Sequence, residues 1–152
     1  MKKRVAVVGV GNILMGDEGA GVAVIGELAS KTDPDVVELI DAGTAFLAVV
    51  QDLKDYEKII IVDTARGGGP PGTVYRFGIN DIRGEETFIS LHDIGVVDSL
   101  KLERLVGMVP EDIVFFGIEP ERVELSMELS PAVKEKLEYA ADRILEEIEQ
   151  TR

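Results

Sequence analysis

Glu18, Asp63 and His92 are the three residues of this sequence whose types best combine into chemistry. Two carboxylates and one imidazole make a mixed oxygen and nitrogen donor set. Such a set suits a borderline divalent ion, and three protein ligands leave coordination positions open. The chain has no cysteine, so all-thiolate metal sites, disulfides and cysteine nucleophiles are excluded. Each residue also has a plainer reading. Asp17 and Glu18 stand near an expected helix start, where acids cap amides and complement the helix dipole. For Asp17 that reading is preferred; Glu18 equally well projects over a sheet edge. Asp63 closes a buried strand, where a carboxylate is costly unless it binds something or caps local amides. His92 is the only histidine, and a lone histidine is commonly structural or simply exposed.

The elements that must position these residues are legible as alternating strands and helices. Val5–Val10 is an apolar run closed by glycine, as expected of a strand buried on both faces. Val22, Ile25, Leu28 and Ala29 form one helical stripe. Val36–Asp41 reads as a second strand. Phe46, Val49, Val50 and Leu53 keep helical spacing, with Thr44 as the expected N-cap. Lys58–Asp63 carries four consecutive β-branched residues and reads as a central strand. Residues 67–72 are a glycine- and proline-rich loop, followed by an edge strand over Thr73–Phe77, expected antiparallel. Residues 78–92 look irregular. A helix is expected over Gly95–Met108, a buried strand over Ile113–Ile118, and a last helix opening at Ser130-Pro131. The pattern predicts a single domain over residues 1–152. Its fold class is α/β, three-layered, with a mostly parallel twisted sheet of about five strands and helices on both faces. In such folds the working residues stand beyond the carboxyl ends of the strands, which brings Glu18 and Asp63 to one edge.

Composition narrows the function classes. A net charge of −13 disfavours nucleic acid and anionic membranes as partners. No apolar stretch approaches membrane-spanning length, and the N-terminal apolar run reads as a strand rather than a signal peptide. A cytoplasmic protein is expected. The glycines after the first strand invite a dinucleotide reading, but Leu14 stands where the fingerprint needs its third glycine, and two acids follow. A G-x-S-x-G elbow is absent, which leaves serine catalysis weakly supported.

At these residues the sequence resembles a known family. The run from Gly9 to Gly21, Gly-Val-Gly-Asn-Ile-Leu-Met-Gly-Asp-Glu-Gly-Ala-Gly, is similar to the N-terminal motif of the nickel–iron hydrogenase maturation endopeptidases. Asp41-Ala42-Gly43-Thr44, Ile61-Val62-Asp63-Thr64-Ala65 and Ser90-Leu91-His92-Asp93-Ile94-Gly95 resemble its second, third and histidine motifs. Gly117-Ile118-Glu119-Pro120 and Leu129-Ser130-Pro131 resemble its C-terminal ones. Ala42 replaces a frequent glycine, which is tolerable where φ is negative. Glu128 stands where another glycine is frequent.

The resemblance implies a protease that trims the C-terminal extension of the hydrogenase large-subunit precursor once nickel is inserted. Glu18, Asp63 and His92 are implied as the metal-contacting residues, with nickel supplied by the precursor. Water activated by the metal and a general base are both open as the cleavage chemistry. Asp41, ending the neighbouring strand, is a candidate base, although Asp41-Ala42-Gly43-Thr44 reads equally as a turn with an N-cap. A monomer that meets the precursor one-to-one is expected. A nickel chaperone that leaves the tail uncut and a small-molecule-binding α/β module are the alternatives.

Overall fold

The computed structural model describes residues 4–81 and 93–151. Its sheet has five strands in the order β2-β1-β3-β5-β4. These are β1 Val5–Val10, β2 Val37–Gly43, β3 Lys58–Thr64, β4 Val74–Gly78 and β5 Asp112–Ile118. Strands β2, β1, β3 and β5 are parallel, and β4 closes one edge antiparallel to β5. The α/β class and the antiparallel edge strand are as the sequence predicts. The helices are α1 Ala20–Leu28, α2 Phe46–Val49, α3 Asp93–Leu105, α4 Pro131–Lys134 and α5 Leu137–Gln150. None of the described helices is long and apolar enough to cross a membrane.

Strand parity sorts the apolar side chains into two cores, because successive residues face opposite sides of a sheet. Val5, Val7, Ile60, Val62 and Phe116 pack with Val24 and Leu28 of α1 and Ala141 and Ile144 of α5. Ala6, Val8, Ile59, Ile61 and Phe115 pack on the other face with Phe46, Leu53 and Leu100. Burial on both faces is why β1 and β3 read as continuous apolar runs rather than alternating ones.

Several local expectations need correction. In α1 the buried stripe is Gly21, Val24, Ile25 and Leu28; Val22 is half-buried and Ala29 is exposed. The phase is set by Gly21, which lies so close to the carbonyls of Val10 and Val62 that no side chain fits there. Thr44 is not the N-cap of α2. The chain first makes a turn from Ala45 N to Ala42 O, and the helix starts after Ala45. Helix α3 stops at Leu105 rather than Met108, because the amides of Gly107 and Met108 fold back onto Arg104 O and Glu103 O. The last helix is two pieces. Lys136 N bonds Val133 O, three residues back, where the Gly72 turn packs against Ala132 and Lys136. The histidine segment, with Ser90, Leu91 and His92, lies outside the described residues.

Asp17 does not cap α1, contrary to the preferred reading. Its carboxylate is fully buried and turned toward the loop after β5. Oδ2 accepts from Glu121 N (2.8 Å), Arg122 N (2.9 Å) and Ser130 Oγ (2.8 Å), and Oδ1 accepts from Ser130 N (2.7 Å). Ser130 keeps its place before Pro131 at the start of α4, but its hydroxyl serves Asp17 rather than the helix. Burial raises the pKa of Asp17, and donation from Arg122, Ser130 and Glu121 outweighs it, so the carboxyl sits below its ordinary value. Main-chain bonds from Asp17 N to Arg122 O, Gly16 N to Ser126 O and Ser126 N to Leu14 O complete the clamp.

A second buried acid works at the opposite edge. Glu147 of α5 accepts from Lys58 Nζ at 2.6 Å and from Arg76 Nε at 2.6 Å, and Asp112 lies 3.2 Å from Lys58. Hydrogen bonding from Arg76 leads the causes that hold Glu147 at a pKa of about 2, below its ordinary 4.5, against the opposing effect of burial. A depressed folded-state pKa contributes stability above the unfolded value that is lost as pH falls through the folded one.

Two predictions result. The stability margin of the wild type over Glu147→Gln should be full at pH 6 and shrink between about pH 4.5 and 2 in urea titrations. A margin unchanged across that window refutes the assignment. Asp17→Asn places an amide donor among donors and should cost about 3 kcal/mol at neutral pH, also read by urea unfolding.

Candidate functional site

The strand order fixes where a site belongs. β2 and β3 lie on opposite sides of β1, so the connections leaving β1 and β3 diverge at their carboxyl ends and open a crevice. Asp63 stands in β3 at that crevice, opposite Gly117 of β5. The chain leaving β1 passes through Gly11 and Asn12, whose side chain accepts from Leu14 N, and then enters the 3₁₀ turn Gly16–Gly19 that carries Glu18. This turn packs against β3.

Gly11 is the point at which the main chain of Glu18 approaches Asp63. Its φ is +141°, a conformation that disfavours side chains. A Cβ there would collide with the carbonyl oxygen of Glu18 and lie 3.8 Å from Asp63 Oδ1. The main chain of Glu18 and the carboxylate of Asp63 therefore flank one glycine. Asp63 is buried, at 4% exposure, and Oδ1 accepts from Thr64 N at 2.7 Å, so the plainer capping role holds for that oxygen. Glu18 is half-buried. The Glu18 carbonyl also occupies the space against Gly11 that a dinucleotide fingerprint would leave for pyrophosphate.

Asp41 is not brought beside Asp63. It is in register with Gly9, whose other neighbour is Val62, so it stands two strands from β3. At strand spacing that is about 10 Å. Its parity is that of Val37 and Leu39, the face covered by α1 and α5, whereas Asp63 shares the parity of Ile59 and Ile61. The Asp41 side chain is at an exposed position, and Oδ1 accepts from Gly43 N at 3.0 Å. The positive φ of this turn falls on Gly43, at +52°, so the alanine at 42 is accommodated.

Among the described residues no three histidine, cysteine or acidic side chains come together as a metal-binding group. Glu18 and Asp63 are the part of the predicted set whose placement is described, and His92 lies outside it. One polar residue of this edge stands in the motif at residues 117–120 but had no role assigned from the sequence. Glu119, directly after β5, is buried and accepts from Gly67 N at 2.8 Å and Tyr75 Oη at 2.6 Å. Tyr75 in turn accepts from Gly69 N at 2.9 Å, which fixes the glycine-rich loop beside Ala65 and Asp63. The signal was present: Glu119, like Asp63, is an acid at the end of a buried apolar run.

Comparison with known proteins places the chain in a family. Residues 22–147 match the sequence model of the family described as HycI, hydrogenase maturation protease. The chain is 33% identical to the hydrogenase 2 maturation protease of Escherichia coli over 145 residues, covering 93% of this chain and 88% of that one. Its structure resembles the hydrogenase maturating endopeptidase HybD from E. coli, with a TM-score of 0.83, 31% identity, and 97% and 93% of the two chains covered. It also resembles the nickel–iron hydrogenase maturation protease HybD from Thermococcus kodakarensis, with a TM-score of 0.81, 29% identity, and 95% and 99% covered. By fold and by sequence, the chain belongs to the hydrogenase maturation protease family and is an endopeptidase.

Proposed function

We propose that this endopeptidase removes the C-terminal extension of a nickel–iron hydrogenase large-subunit precursor, and that it does so after nickel has been inserted. The observation that supports the reading is the placement of the Glu18 main chain and the Asp63 carboxylate about Gly11 at the switch point. Glu18, Asp63 and His92 provide oxygen and nitrogen donors, and the chain provides no thiolate. Soft ligands come from cysteines of the precursor, which already hold the nickel. The protein's donors occupy positions those cysteines leave open. Recognition is then a difference in affinity between loaded and empty precursor, which couples cleavage to correct assembly.

Peptide hydrolysis needs a water whose oxygen adds to the scissile carbonyl carbon, while a proton passes to the departing amine. Asp41 suits the base role in this scheme. Its Oδ1 is steadied by Gly43 N. Asp41 lies about 10 Å from β3 with the parity of the opposite face, so a substrate that reaches both it and the metal-contacting residues must cross the carboxyl edge of β1. The protein is expected to act as a monomer in the cytoplasm on a transiently bound precursor.

Processing of purified precursor, followed by intact mass, tests the reading. The extension should be lost from nickel-loaded precursor and kept on nickel-free precursor, and Asp63→Ala or His92→Ala should abolish the loss. Equal cleavage of both precursors, or normal processing by Asp63→Ala, overturns the nickel requirement. A precursor left intact in every arm points to a non-proteolytic assembly role. Asp41→Asn should slow processing by about 10²- to 10⁴-fold while nickel-loaded precursor still binds. A rate within threefold of wild type removes Asp41 from the chemistry.

A further inference from the structure

The loop after β5 presents large apolar side chains to solvent where the fold has no use for them. Leu125 is 85% exposed, Met127 74% and Val123 38%. Ile13 and Leu14, at 49% and 50%, are exposed on the adjoining loop after β1. The two loops are joined by a bridge between Met15 and Ser126, with Ser126 N on Leu14 O and Gly16 N on Ser126 O. A groove of about 750 Å³ runs beside them, lined by Gly16, Arg122, Glu124, Ser126, Leu129 and Leu137 among others. Scattered exposed apolar residues need no explanation, but a contiguous set on clamped loops marks an interaction surface. The Asp17 carboxylate holds Glu121, Arg122 and Ser130 at the two ends of the loop, so the surface is ordered in advance. Among the described residues none hydrogen-bonds the main-chain groups of Leu125 or Met127, which are left for an incoming chain.

We infer that this surface is the landing site for the precursor polypeptide, receiving a segment with apolar side chains flanked by basic ones. The inference rests on the proposed reading of the substrate. Charge selects the partner. The loop carries Glu121, Glu124 and Glu128 against Arg122, with Lys134 of α4 the other cation lining the groove, and the whole chain carries −13. A second copy would set like charges against each other, whereas a basic segment complements them. Continuity with the site selects the region of the partner. Gly16 lines the groove and opens the 3₁₀ turn that carries Glu18, so a bound segment lies next to the crevice.

The double variant L125D/M127D tests this, since both side chains are exposed and the melting temperature should stay within about 2 °C. The expected result is a KM for nickel-loaded precursor at least tenfold higher, with kcat within twofold. Direct titration of precursor binding should weaken by the same factor, and added salt should weaken wild-type binding. An unchanged KM and unchanged binding overturn the inference. So does a wild type that sediments as a dimer, dissociated by the double substitution with no change in binding. If wild type binds precursor without cutting it and the variant binds tenfold more weakly, the landing site stands and the peptidase reading falls.

Discussion

The carboxylate of Asp17 is the constraint on which the carboxyl edge of this molecule depends. Four donors from residues 121, 122 and 130 converge on two buried oxygens. A buried charge is tolerable only when its lone pairs are satisfied in this way. The result is one rigid body made of the loop after β1, the loop after β5 and the start of α4. Glu18 is the next residue in the chain, so its position is inherited from that clamp. The neighbouring Asp63 is fixed independently, by β3 and its pairing with β5.

The two ends of the sheet divide their work. Lys58 and Asp112 begin β3 and β5 and, with Glu147 and Arg76, tie α5 and β4 to the amino edge. At the carboxyl edge two buried acids are satisfied by neutral donors: Asp17 by three amides and a hydroxyl, and Glu119 by the Gly67 amide and Tyr75. Neutral donors leave the charges of Asp17 and Glu119 in place, whereas Lys58 and Arg76 offset that of Glu147 at the far end.

The sheet was legible because its strands are buried on both faces, and burial leaves a mark at each position. Val5–Val10 and Lys58–Asp63 agree with the observed strands to within a residue. Helix limits were less legible. The phase of α1 depends on how closely Gly21 approaches carbonyls of two different strands, and no local pattern encodes that distance. The same reason hid the role of Asp17. An acid before an apolar helix looks like a cap, and only the fold brings residues 121 to 130 within reach. Ser130-Pro131 was read correctly as a helix start, yet the hydroxyl has a remote partner. That Glu18 and Asp63 stand at the same edge of the sheet followed from topology, since both follow strands that end there. Asp41 leaves a strand at that edge too, but register and parity set it apart from Asp63.

The clamp also bears on when the protein becomes competent. The bonds between Asp17 and Ser130 join residues 113 apart, whereas β1, α1, β2 and β3 lie within the first 64 residues. Pairing of the early strands closes shorter loops and is favoured first. The crevice between β1 and β3 can therefore form on a growing chain while the loop that braces Glu18 is still missing. Only when the segment through Ser130 has been synthesised does the edge lock, so an incomplete chain holds the acids without the frame that aims one of them.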